Sequence, residues 1–423
     1  MKSILKEGFE MDYRVEERIT TQLKNLLQQE NVKKGLDFIK ADDQHTLDQQ
    51  LELVLIEAPT FQEAARAKYF AELLKAEGLT DLQIDVHGNA FGYRRGKGNG
   101  PVIVVEGHMD TVFPMNTARE IVYKDGKIYC PGICDDTRGC VDVLAALRGM
   151  NAAEIETESD FIFMGTVEEE GMGGLGGLKK FLQDHKEVGG CISIDGAGNR
   201  GIVYEATGIR TMAVNFHGIG GHAMGAFGLV ANPLHAAARA VAKIADIEVP
   251  TNPRTTYAVS NFHGGNDAGI HAIVKECTIK INFRSNGQKE LEELEVKIKN
   301  AIAQACQEET ARWGKDTITY DYIDYVNIPA ATQDRNAPIV QATYSVIQNF
   351  GFEPQFAQGG STNASNPVAL GIPGVTLGRG GKEGGVHTVD EWFDPTDVYK
   401  GVQVIYTLAL VLGGISGISK SVL

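Results

Sequence analysis

No stretch of this sequence stays apolar over the roughly 20 residues that a membrane-spanning helix needs. The most apolar run, 402–415, is interrupted by Gln403 and followed by Gly-Ser punctuation, which predicts a buried core helix and no membrane partner. The opening residues are not apolar either. Lys2, Lys6, Glu7 and Glu10 fall within residues 1–13, so no secretory signal is expected and the expected location is cytoplasmic. Positive charge is in deficit: 40 Lys and Arg stand against 55 Asp and Glu, a formal net charge of −15. That balance argues against a nucleic-acid partner and favours simple solubility. Cysteine is sparse. Cys130, Cys134 and Cys140 do cluster, but they lack the paired two-residue gaps of thiolate zinc sites and have no nearby histidine. All six cysteines are expected to be reduced and mostly buried. A thiol nucleophile at Cys134 or Cys140 would need a histidine that the sequence does not place. Internal repeats and low-complexity segments are absent.

What is present is ordinary globular composition over 423 residues, too long for one core, so two domains are expected. Residues 1–45 read as a polar, helical N-terminal extension packed on the domain surface. Helices follow over about 46–58, stopped by Pro59, and over about 61–77, with Gly78 as the C-cap. Alternation at Leu82, Ile84 and Val86, the turn His87-Gly88-Asn89 and a return over 90–93 predict a hairpin. Short continuous apolar strands at 102–105, 161–167 and 191–194 then alternate with helical stretches at about 140–150 and 175–185. This rhythm predicts an α/β fold with a mostly parallel central sheet and helices on both faces.

Near Thr207 the pattern changes to one-sided alternation, at Met212, Val214 and Phe216 and again at Ile279, Ile281 and Phe283. Two amphipathic helices accompany it, one starting at Asn232-Pro233 and one over about 289–308. Residues 208–326 are therefore expected to form a smaller inserted α+β domain. Residues 1–207 and 327–423 would make the larger domain, with a further apolar strand at 375–377 and a last helix from about Thr396.

In open α/β sheets, ligands gather beyond the carboxyl ends of the strands. Here those ends carry Glu106-Gly107-His108-Met109-Asp110, then Glu168-Glu169-Glu170, then Asp195. Asp135-Asp136 lies just before a helix, and strand 375–377 leads into a glycine-rich loop with His387. Carboxylates gathered this closely repel and cannot all stay ionised without a cation. Two divalent metals about 3.5–4 Å apart, sharing a carboxylate and a water, would resolve the repulsion. Imidazole and carboxylate donors suit zinc, and manganese and cobalt fit the same set. Arg284, at the end of an alternating strand, is placed to clamp a substrate carboxylate. The loop Gly359-Gly360-Ser361-Thr362-Asn363 is expected to bend near the substrate, with Asn363 as a contact.

His108-Met109-Asp110, Asp135-Asp136, Glu169-Glu170-Gly171, Asp195 and His387, in this order, resemble the dinuclear zinc peptidase superfamily. That group includes peptidase T, glutamate carboxypeptidase, succinyl-diaminopimelate desuccinylase and the aminoacylases. Asp195 within Ile-Asp-Gly is most similar to the peptidase T-like members. The resemblance implies two zinc ions bridged by Asp135, with His108 and Asp195 completing one position and Glu170 and His387 the other. It implies Glu169 as general base, with a one-residue slip among Glu168, Glu169 and Glu170 left open and Glu168 expected to face solvent. Asp110 would orient His108, and 208–326 would be a lid and dimerisation domain. His222 would steady the oxyanion in the other subunit of a homodimer.

Thr137, where many relatives carry Lys, Gly269 and Ala272, where many have Asn and Pro, and Asn363, where many have Asp, depart from that pattern and affect the substrate pocket. The implied activity is amide hydrolysis of a di- or tripeptide. An N-acyl amino acid deacylase or a carboxypeptidase would use the same centre, and a non-catalytic metal-binding relative would have no need of the Glu169-Glu170 pair.

Overall fold

The computed structural model describes residues 13–313 and 317–423. The first part of the expected N-terminal extension, residues 1–12, and residues 314–316 lie outside the described residues.

An eight-stranded sheet forms the larger unit. Its spatial order is Thr80–Ile84, Ala90–Arg94, Phe161–Thr166, Val102–His108, Val188–Ile194, Gly374–Leu377, Gly201–Val203 and Gln355–Phe356. The strands from Phe161–Thr166 to Gly374–Leu377 run parallel, while antiparallel pairs toward either edge make the sheet mixed. The central strands are continuously apolar because both faces are covered. Ile103, Val105, Phe161 and Phe163 face one core with helices Thr137–Ala152 and Tyr399–Gly413. Their neighbours Val104, Ile162 and Met164 face the opposite core, closed by Leu178, Phe181 and Leu182 of helix Gly176–Asp184.

The N-terminal helices Glu17–Gln28 and Glu30–Ala41 do not merely rest on the surface. Ile19, Leu23, Leu26, Val32 and Ile39 are buried in the main core. The reason lies in helix Tyr399–Gly413, which is apolar on nearly every side and needs a second layer over its outer face. Gln403 Nε2 donates to Leu36 O at 2.9 Å, and Gly35 packs against Tyr406, where a Cβ would collide with the phenol.

Helix Thr137–Ala152 carries a fully buried ion pair, Arg138 Nη2 to Asp142 Oδ1, close at 2.7 Å though not aligned as a hydrogen bond. Burial, opposed by Arg138, pushes the Asp142 carboxyl up to about 7 from its ordinary 3.8. A raised carboxyl contributes stability that is full below the unfolded value and is lost as pH rises through the folded one. Arg138→Met removes the opposing charge. The metal-free protein should lose on the order of 3–5 kcal/mol at pH 8, as expected for a buried charge left unpaired, and distinctly less at pH 5.5. Urea unfolding at both pH values checks this, and an equal loss at both would contradict it.

A separate four-stranded antiparallel sheet lies between residues 208 and 328, in the order Thr255–Gly264, Glu276–Ser285, Gly208–His217, Thr319–Ile328. It has its own core. Met212, Val214, Phe216, Ile279, Ile281 and Phe283 pack against helices Pro233–Ala245 and Gln288–Trp313. Asn232 caps the first of these, its side chain accepting from Leu234 N at 3.0 Å.

Candidate active site

The carboxyl ends of the four parallel strands point to one edge of the sheet, and the polar side chains meet there. Strand Val102–His108 ends in His108, which lies beside Asp135, Asp136 and Asp195. The turn after Phe161–Thr166 delivers Glu169 and Glu170, and the loop after Gly374–Leu377 returns with His387. In each of three groups, one donor atom per residue lies within 4.8 Å of the others: His108/Asp135/Asp136/Asp195, His108/Glu169/Glu170 and Asp135/Glu170/His387.

Asp135 joins these groups by dividing its oxygens. Oδ1 lies 3.3 Å from His108 Nε2, and Oδ2 lies 2.9 Å from His387 Nε2, which is itself 3.0 Å from Glu170 Oε1. Nitrogen and oxygen donors converging from several strand ends, without a thiolate, fit divalent metal ions of the zinc, manganese and cobalt type. The cysteines stay out of this set. All six are free and buried, and burial pushes the Cys130 thiol up to about 11.

The electrostatics follow from burial within this acidic cluster. Burial, with Asp135 nearby, pushes Asp195 up to about 6, and burial drives Glu169 and Asp136 well above the usual carboxylate range. Asp135 behaves oppositely: burial opposes its charge, but Arg379, His108 and His387 together hold it well below that range. Burial disfavours a charged His108, yet Glu169, Asp110 and Asp135 outweigh it and hold the ring high. Hydrogen bonds to Asp135 and Glu170 lift His387 to about 10.

Asp110 does more than face His108. The His108 Nδ1 is 3.0 Å from the Asp110 main-chain oxygen and 3.6 Å from its carboxylate. That carboxylate instead accepts the backbone N–H groups of Glu169 and Glu170, each at 2.9 Å, and the Thr60 hydroxyl at 2.9 Å. It therefore sets the backbone of the paired glutamates. Glu168 does not face solvent as expected: Lys180 Nζ holds its carboxylate at 2.7 Å. Asp136 serves as the N-cap of helix Thr137–Ala152 and also accepts from His108 N at 2.9 Å.

Two residues absent from the sequence reading belong here. Arg379 is buried and reaches Asp135, Asp136 and Asp195 with a single nitrogen. It sits just past strand Gly374–Leu377, so the strand-end rule would have found it had cations been considered alongside acids. Glu391 is fully buried and accepts N–H bonds from Gly132, Cys134 and Asp135 at 2.9, 2.7 and 3.1 Å. Its partners are main-chain groups far away in sequence, so no residue pattern could reveal it.

A cavity of about 330 Å³ opens from Glu169, Glu170 and His387 toward the four-stranded sheet, where Arg284, Asn282 and Thr211 line it. Arg284 thus lines the same cavity as Glu169, Glu170 and His387. Asn363 does not line this cavity. It is buried, and its amide donates to Glu106 Oε2 at 2.9 Å and Thr166 Oγ1 at 2.8 Å. An Asp at 363 would set a second carboxylate against the buried Glu106, and Asn replaces that repulsion with a donor. His222 is also outside the cavity: it is exposed, with Nδ1 accepting from Met224 N at 3.2 Å and its ring 5.4 Å from that of His271. A larger depression, about 900 Å³, runs along residues 265–276 and contains none of the clustered donors.

The fold and this centre define a metal-dependent hydrolase built on a mixed α/β sheet. More narrowly, the chain belongs to Peptidase family M20/M25/M40, whose sequence profile matches residues 104–411. A succinyl-diaminopimelate desuccinylase from Nitrosospira multiformis is 25% identical over 328 residues, covering 72% of this chain and 81% of that protein. The aminopeptidase PepT from Bacillus cereus has a similar structure, with a TM-score of 0.70 at 23% identity over 86% of this chain and 97% of that one. The YXEP protein of Bacillus subtilis, described as a dinuclear metal binding peptidase from the M20 family, has a TM-score of 0.66 at 14% identity. The match covers 88% and 99% of the two chains. Among the described residues, no helix is long and apolar enough to cross a membrane.

Proposed function

We propose that this enzyme hydrolyses the amide bond of a di- or tripeptide at a two-metal centre, with zinc as the native ion. The observation that carries the reading is the divided carboxylate of Asp135, one oxygen toward His108 and the other toward His387 and Glu170. His108, Asp135 and Asp195 would hold one ion, and Asp135, Glu170 and His387 the other. Such a pair, when bound, supplies Lewis acidity toward a carbonyl oxygen and a shared water of lowered pKa.

The chain's own groups do the rest. Glu169 lines the cavity and makes only a long contact with His108, 4.0 Å, so its carboxylate is free to take a proton from the attacking water. It then returns that proton to the leaving nitrogen. Asp110 keeps Glu169 in place through the backbone bond to Oδ1. Arg284, on strand Glu276–Ser285 and anchored by Nε to Asn282 Oδ1 at 3.1 Å, is placed to pair with a substrate carboxylate. Residues 208–326 act as the lid carrying that arginine.

A second reading shares every step but takes an N-acyl amino acid, since Arg284 would pair equally well with its carboxylate. A panel of tripeptides, dipeptides and N-acyl amino acids assayed with zinc separates the two. Preference for a free-amine tripeptide is expected, and turnover confined to acylated substrates would overturn the peptidase assignment.

Within one chain His222 lies outside the cavity, so a role at the oxyanion requires a second subunit. Around it Met224, Phe227, Leu229 and Ile270 expose large apolar surface, consistent with a homodimer formed through this lid. His222→Ala should lower turnover by about 10²–10³-fold, as for other lost oxyanion donors. Mixing that variant with Glu169→Gln should restore activity well above either parent, because some hybrid sites then carry both intact residues. Additive activities alone would remove the role in trans. Free thiols throughout and strong net negative charge support a cytoplasmic enzyme acting on small substrates, with no nucleic-acid partner.

A further inference from the structure

Arg379 is almost entirely sealed from solvent, and its guanidinium is shared unequally across the acid cluster. Nη1 lies 3.1 Å from Asp135 Oδ1, 2.6 Å from Asp136 Oδ1 and 3.2 Å from Asp195 Oδ1. The other edge of the group is held by Glu383, with Nε 3.0 Å from Oε2 and Nη2 3.2 Å from Oε1. This two-point clamp fixes the plane of the guanidinium and aims Nη1 inward.

The side on which Nη1 sits is what matters. Asp135 Oδ1 is the oxygen beside His108, and Asp195 belongs to the same group of donors. The oxygen facing His387 and Glu170 is Asp135 Oδ2, whereas the hydrogen bond from Arg379 goes to Oδ1. A permanent cation therefore occupies lone pairs on one half of the cluster and leaves the other half free. An arginine does not give up its proton in a protein, so it cannot step aside by neutralisation.

We propose that Arg379 is a resident counter-cation that makes the two metal positions unequal, weakening the His108/Asp135/Asp195 position relative to the Asp135/Glu170/His387 position. The proposal rests on the two-metal reading above. A divalent ion held by His108, Asp135 and Asp195 would compete with the guanidinium for the Asp135 and Asp195 carboxylates and would meet its charge at short range, where repulsion in a protein interior is strong. An ion at the second position draws on oxygens that Arg379 does not use. The same contacts keep Asp135, Asp136 and Asp195 together before any metal arrives, which answers the repulsion among them.

The test uses metal-free full-length protein titrated with cobalt(II), read by visible absorbance and calorimetry, not by activity. Wild type should show two resolved binding steps. Arg379→Met should tighten the weaker step by at least about tenfold, a modest value for removing a unit charge from beside a divalent ion, and should bring the steps together. Arg379→Lys, which keeps the charge, should retain the separation. Glu383→Gln removes the compensating charge and keeps the arginine, so the weaker step should become weaker still. If Arg379→Met gives no folded protein, the opposite-sign result from Glu383→Gln decides the matter.

Two equal steps in wild type, or steps unmoved or both weakened by Arg379→Met, would overturn the role of Arg379 while leaving the metal centre standing. An improvement of the weaker step in Glu383→Gln would overturn it too. Failure of wild type to bind cobalt at all would instead sink the two-metal reading itself.

Discussion

Glu169→Gln should lower turnover by about 10²–10⁴-fold, the usual contribution of a positioned general base, while metal content after dialysis stays at the wild-type level. The substitution keeps shape and the backbone bond from Glu169 N to Asp110 Oδ1 at 2.9 Å. What it removes is the ability to accept a proton. In the metal-free site, burial and the nearby acids Asp195, Glu170 and Asp110 raise the proton affinity of Glu169, while His108 opposes the rise. Its side chain is not consumed by a short ion pair, unlike Glu170, which lies 3.0 Å from His387. Steady-state kinetics and metal analysis on one preparation separate the effects. Near-normal turnover would remove Glu169 from the mechanism, and lost metal would make it a ligand.

Asp135→Asn should abolish turnover and release metal from both positions. The expected loss of affinity is at least the roughly 10–100-fold that follows removal of an outer-shell partner, since Asp135 is proposed as a ligand to both ions. An amide can present one oxygen, whereas the carboxylate presents Oδ1 to His108 and Oδ2 to His387. Fold is expected to persist, because Glu391 still holds the 132–135 backbone through its three N–H bonds. Metal content by elemental analysis, with circular dichroism as the folding control, gives the answer. A variant that retains a full metal complement would show that Asp135 does not bridge.

His108, Asp135, Glu170, Asp195 and His387 gather at one edge, and apolar runs such as 102–105 made the buried parallel strands that lead there legible in the sequence. How the supporting groups are used was not legible there. Asp110 was expected to orient His108; its main-chain oxygen lies 3.0 Å from His108 Nδ1, and its carboxylate also carries the Glu169–Glu170 backbone. Asn363 was expected near substrate and turned inward to Glu106, since a buried carboxylate needs a donor more than the cavity needs an amide. Helices Glu17–Gln28 and Glu30–Ala41 of the extension joined the core, because the sequence announces helix Tyr399–Gly413 as apolar but not which helices cover it.

By itself, then, the sequence determined the alternation of buried strands and helices, the change to one-sided strands near Thr207, and the donor types of the metal centre. Those features are local: periodicity and residue chemistry are complete within short windows of chain. Only the tertiary structure decided which carboxylate oxygen faces which imidazole, that Arg379 stands among the acids on one side, and that His222 is exposed outside the cavity. Those depend on distances between residues far apart in sequence, and electrostatic and hydrogen-bond energies in a buried site change steeply over an ångström or two.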